Sequence, residues 1–104
     1  MYIHHPHRSD LDLATVLHAL SDPQRLRIVG QLATRDGACA CSSFGLEVTK
    51  STLTHHFRVL REAGVIHQDL AGTSKLNSLR REDLDARFPG LLDAVLAADL
   101  EPAS

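Results

Sequence analysis

Two cysteines, Cys39 and Cys41, stand one residue apart. So short a separation is poor geometry for a disulfide, but it lets two thiolates share one thiophilic ion or respond together to an oxidant. Near the start of the chain, His4, His5 and His7 form an HHPH cluster whose imidazoles suit a borderline ion such as nickel or zinc. A third set sits in KSTLTHHFRVLREA, residues 50–63. At 100° per residue Leu53, Phe57 and Leu60 share one face, while Ser51, Thr54, His55, Arg58 and Glu62 point the opposite way. Hydroxyls, an imidazole and a guanidinium on one open helix face are the groups that reach base edges and phosphates in a major groove.

These residues need a frame to hold them, and the sequence punctuates one. Ser9 before Asp10-Leu11-Asp12 resembles a capping box, and Leu13, Val16, Leu17 and Leu20 follow at helical spacing, so a first helix is expected over about 10–20. Ser21-Asp22-Pro23 caps a second helix with Leu26, Val29 and Ala33 on its stripe, ending near Thr34. ACACSSF, residues 38–44, predicts a short helix closed by Gly45. Thr49 caps the helix that carries the outward polar face, and Gly64 ends it. Residues 65–70 and 74–79 read as two strands joined by Ala71-Gly72-Thr73. The remaining run returns to helical spacing, with Pro89 at a helix start or kink. The expected organisation is a flexible histidine-bearing arm over 1–9, one domain over 10–100 and a frayed tail over 101–104.

With 104 residues the chain is one domain's worth, and 43% hydrophobic with 23% charged residues is a globular composition. The net charge of −2 hides a division: residues 50–81 hold six bases against two acids, and the rest five bases against eleven acids. Only the middle segment is therefore expected to meet phosphate. The sequence has no run of about 20 apolar residues for a membrane span and no secretory signal, so the cytoplasm is expected, in keeping with paired free thiols. It has neither a glycine-rich phosphate loop nor an HExxH helix, and no second domain, which excludes the commoner enzyme classes.

Two helices and a turn followed by a hairpin describe a winged helix-turn-helix. Beyond that pattern, ALSDPQRLRIVGQL, ACACSSF and TKSTLTHHFRVLREAGVI closely resemble the ArsR/SmtB family of bacterial transcriptional repressors, over residues 11 to about 96. The resemblance implies a mainly helical fold of about five helices and a two-stranded wing. It also implies a homodimer joined through the first and last helices, and repression from a palindromic operator on double-stranded DNA. It implies Lys50, Ser51, Thr52, Thr54, His55 and Arg58 as DNA-reading positions, with Gly72, Thr73 and Lys75 as wing contacts.

Many family members carry a metal- or arsenic-binding Cys-x-Cys where Cys39 and Cys41 stand, and some sense metal through an N-terminal arm. The resemblance thus implies His4, His5, His7, Cys39 and Cys41 as candidate ligands, with the arm acting alone or with the thiols of a second subunit. Nickel is the first expectation, because a histidine-rich arm favours a borderline ion over arsenite, which prefers three thiolates. Zinc, cadmium, arsenite and thiol oxidation stay open, as does action with a protein co-regulator. The last helix has Asp93 and Asp99 but no histidine, which speaks against the family's zinc site between last helices. His18 and His67 are expected to be structural, His55 to face DNA and His56 to flank the core. The rival reading is a winged helix used for protein contacts or metal delivery.

Overall fold

The computed structural model describes residues 4–34, 39–40, 49–71 and 74–100. A single 3-10 turn, Arg8–Asp10, leads into α1 (Leu13–Ala19) and α2 (Pro23–Thr34). A short strand β1 (Cys39–Ala40) precedes α3 (Lys50–Glu62), followed by β2 (Ile66–Ala71), β3 (Ser74–Leu79), α4 (Arg81–Arg87) and α5 (Leu91–Leu100). Five α-helices and a hairpin among the described residues agree with the expected class.

The helix starts are set by side chains that satisfy otherwise orphaned N–H groups. Asp12 accepts from the Thr15 N–H at 3.0 Å, Asp22 from those of Gln24 at 2.8 Å and Arg25 at 3.2 Å, and Thr49 from that of Thr52 at 3.2 Å. α3 ends in a Schellman arrangement, with Gly64 N–H bonded to the Arg61 carbonyl and Val65 N–H to that of Leu60. Gly64 has φ +84°, and a Cβ there would lie 2.0 Å from Leu11 Cδ2, so both conformation and packing require glycine.

Two expectations are refined. Residues 39–40 are not helical: they pair antiparallel with β3, Cys39 opposite Asn77 and Ala40 opposite Leu76, making a three-stranded sheet in the order β1-β3-β2. A helix of one or two turns gains few hydrogen bonds for its nucleation cost, whereas β3 offers a ready edge. The rest of the expected 38–44 helix lies outside the described residues. The last helical run is broken in two at Phe88-Pro89-Gly90, where Gly90 takes φ +83°.

The core gathers one face from each α-helix and from β2: Val16 and Ala19 of α1, Ile28, Val29 and Leu32 of α2, Phe57 and Leu60 of α3, Ile66 of β2, Leu84 of α4, and Leu92 and Leu96 of α5. Phe57 and Leu60 are among its most deeply buried side chains, so the face of α3 inferred from periodicity is the one that fixes its rotation.

Residues 4–9, within the expected flexible arm, lie against the sheet and α4. β2 is an edge strand, and His5 Nε2 accepts the Gln68 backbone N–H at 2.9 Å while its ring stacks on His67, centroids 4.2 Å apart. The Pro6 carbonyl accepts from Arg80 Nη1 at 2.8 Å, and Asp83 accepts from both Arg8 at 2.6 Å and Arg80 at 2.9 Å.

Candidate nucleic-acid interface

The α3 core residues leave its opposite face to solvent: Lys50, Ser51, Thr52, Thr54, His55 and Arg58 are all exposed. Lys50, Ser51, Thr54, His55 and Arg58 line one shallow open depression. Thr52 differs from the others, since its hydroxyl accepts from Thr49 Oγ1 at 2.8 Å and so serves the helix cap. Lys75, exposed on β3, faces α3 across a cleft; Gly72 and Thr73 lie outside the described residues.

Behind the exposed face, α3 is tied to the first two helices by a buried polar cluster. Arg25, 7% exposed, sits on the apolar stripe of α2. Its Nε donates to the Ala19 carbonyl at 2.6 Å and its Nη2 to that of His18 at 3.3 Å, closing the end of α1. Its Nη1 lies 3.2 Å from His56 Nδ1. A guanidinium only donates, so Nδ1 must accept and the imidazole proton belongs on Nε2, 4.0 Å from Asp22 Oδ1. Burial pushes the His56 pKa down; Asp22 opposes this, but Arg25 and His55 reinforce it, and the net shift is downward. Burial would raise Asp22, yet the N–H groups of Arg25 and Gln24 and the neighbouring His56 and Arg25 charges outweigh it, leaving that carboxyl below its usual value.

A second polar chain ties α3 to the sheet. Arg61 Nη1 donates to Gln68 Oε1 at 3.0 Å, and Gln68 Nε2 donates to Asn77 Oδ1 at 2.7 Å. Gln68 and Asn77 are 3% and 0% exposed, and Asn77 stands opposite Cys39 in the sheet register. Thr54, Phe57, Arg58, Arg61, Gln68 and Lys75 line a cleft of about 260 Å³ between α3 and the hairpin.

Comparison with known proteins fits this geometry. A family model described as "Bacterial regulatory protein, arsR family" matches residues 22–68. The chain is 32% identical over 84 residues to the uncharacterised HTH-type transcriptional regulator YceK of Bacillus subtilis (strain 168), covering 79% of this chain and 84% of that protein. The chain belongs to the ArsR family of bacterial regulatory proteins. An arsenical resistance operon repressor of Bacillus subtilis (strain 168) is 34% identical over 68 residues, covering 64% of this chain and 65% of the repressor. A crystal structure of an ArsR family transcriptional regulator shares the fold, with a TM-score of 0.66 at 20% identity over 86% of this chain and 98% of that one.

In this ArsR-family transcriptional regulator, the candidate metal ligands are not gathered into one site among the described residues. His4 and His7 are exposed, and His5 is engaged on the edge of β2 through Nε2. Cys39 is placed by its backbone in β1, and Cys41 lies outside the described residues. No group of three or more His, Cys, Asp or Glu among the described residues is placed to hold a metal.

Sequence reasoning missed Arg25, Arg61, Gln68 and Asn77 as structural partners of α3. A signal was present for two of them. Arg25 falls three and four residues before Ile28 and Val29 on a buried stripe, and Gln68 shares a strand face with buried Ile66. No helix among the described residues is long and apolar enough to cross a membrane.

Proposed function

We propose that this regulator binds a palindromic operator as a homodimer, places α3 in the major groove and represses transcription from it, without enzymatic activity and in the cytoplasm. The observation that carries the reading is the exposed row Lys50, Ser51, Thr54, His55 and Arg58 on a helix whose opposite face is locked into the core. Thr52 belongs to the same turn, and Gly72, Thr73 and Lys75 of the hairpin complete the proposed contact set. Dimerisation is supported by Leu13 and Leu17, 46% and 45% exposed and one turn apart on α1, an apolar strip that a second subunit would cover. Two α3 helices would then meet half-sites about 34–36 Å apart.

The finer reading is control by a metal ion, with nickel the first to test and zinc or another thiophilic ion next. It is supported by the chemistry of Cys39 and Cys41 and of His4, His5 and His7, and by likeness to a repressor of an arsenical resistance operon. The two thiolates would hold a soft ion, and imidazoles of the arm would complete the set for a borderline one.

The test is fluorescence anisotropy on DNA from upstream of the chain's own gene. Arg58→Ala should weaken binding by about 1–3 kcal/mol through a lost guanine contact. Unchanged affinity removes Arg58 from the reading face. Nickel or zinc should change wild-type affinity at least about tenfold, an effect of about 1.4 kcal/mol. No change with either metal refutes the finer reading and leaves the DNA-binding one standing.

A further inference from the structure

The cleft between α3 and the hairpin has a positive charge that none of its described lining residues neutralises. Of its six lining residues three are cations, Arg58, Arg61 and Lys75, and none is a carboxylate. Arg58 and Lys75 are exposed, but Arg61 is half-buried at the cleft's edge and held in one orientation. Its Nη1 donates to Gln68 Oε1, and Gln68 is fixed in turn by its Nε2 bond to Asn77 and its backbone bond to His5. Arg61 Nε is buried and has no hydrogen-bond partner among the described residues. A guanidinium fixed through one nitrogen, with donors left over and other cations beside it, is pre-organised for an oxyanion, because little side-chain freedom remains to be lost on binding.

The placement of the cleft identifies that oxyanion. When a helix enters the major groove and a hairpin follows it along the duplex, the strand bordering the groove runs between them. Resting on the operator-binding reading above, we infer that this cleft is a phosphate clamp: Arg61, positioned by Gln68 and Asn77, grips a backbone phosphate of the DNA strand passing between α3 and the hairpin, with Thr54, Arg58 and Lys75 around it. The contact sets register and affinity without reading sequence. The same chemistry would accept a free phosphate, and the test separates the two sources.

The experiment measures anisotropy of labelled duplexes of about 30 base pairs, roughly three helical turns. One comes from upstream of the chain's own gene and one is unrelated, and salt is varied between about 50 and 200 mM. Each lost phosphate contact lowers the slope of log K against log salt by about 0.9, so Arg61→Gln should lose about 3.5-fold less affinity than wild type across that range. The change should be equal on both duplexes, and Arg61→Lys should restore most of the slope while thermal unfolding confirms that both variants fold. If Arg61→Gln does not fold, Gln68→Leu with Arg61 intact carries the test, since loosening the guanidinium should weaken both duplexes equally. A wild-type slope in folded Arg61→Gln or folded Gln68→Leu, or an effect confined to one duplex, overturns the clamp alone. Inorganic phosphate that shifts the Arg61 Nε–H resonance in wild type, with the DNA slope unchanged in the variants, also overturns it in favour of a small-anion site. Absence of salt-sensitive binding by wild type to either duplex overturns the operator reading and the clamp with it.

Discussion

Replacing Arg25 by methionine is the sharpest test of how α3 is held, because it removes donors while keeping a long side chain in the space. Of its three acceptors, the His18 carbonyl keeps the Ser21 hydroxyl at 2.6 Å and the Ser21 N–H at 3.1 Å. The Ala19 carbonyl is less fortunate, since the residue four positions on is Pro23, which has no N–H. His56 Nδ1 likewise loses its donor. Two stranded buried acceptors at about 1–3 kcal/mol each give a loss of roughly 2–6 kcal/mol. Relief from burying the guanidinium brings the expectation to the lower part of that range, about 2–3 kcal/mol. Urea unfolding at one fixed protein concentration measures it, since subunit association shifts the midpoint. Arg25→Met and His56→Phe should also be non-additive by at least about 0.5 kcal/mol, as expected for groups in direct contact. A loss under about 0.5 kcal/mol from Arg25→Met, or strict additivity, would refute the idea that this pair joins α3 to α1 and α2.

Four further outcomes follow from the same geometry. His56 has its folded-state pKa lowered by burial, so its neutral form contributes stability that is fully present above the ordinary histidine value of about 6.5 and is lost as pH falls through the depressed folded value; unfolding midpoints of wild type should drop over that acid range more than those of His56→Gln, and parallel curves would show that His56 does not carry the effect. Asp83, where burial is outweighed by the Arg8 and Arg80 bonds, also sits below its usual value, and its contribution, present above the ordinary carboxylate pKa, should disappear at still lower pH; this second loss should be missing from Asp83→Asn. Gly64→Ala forces a side chain into a left-handed conformation and against Leu11, and should cost about 2–4 kcal/mol in thermal or urea unfolding, whereas Gly90→Ala, with the same φ but open space, should cost only the conformational part of about 1 kcal/mol. Leu13→Asp combined with Leu17→Asp should leave a folded monomer by analytical ultracentrifugation if α1 forms the subunit interface, and an unchanged sedimentation coefficient would place that interface elsewhere.

Sequence by itself determined the elements whose signals are local. Periodicity and capping gave α2 and α3 their bounds to within a residue, because Asp22-Pro23 and Thr49 act on the turns they begin and Gly64 on the turn it ends. The outward face of α3 was legible for the same reason, since Phe57 and Leu60 can be buried on only one side of it. Tertiary structure decided what depends on distant partners. Cys39 and Ala40 became a strand because β3, more than thirty residues away in the chain, offered an edge. His5 was legible as an imidazole but not as an acceptor for the Gln68 N–H across 63 residues. His56 read as a flank of the core, and nothing local in the sequence joined it to Arg25. Only the fold brings them to 3.2 Å, where burial leaves each the other's hydrogen-bond partner and makes the pair part of what aims the helix.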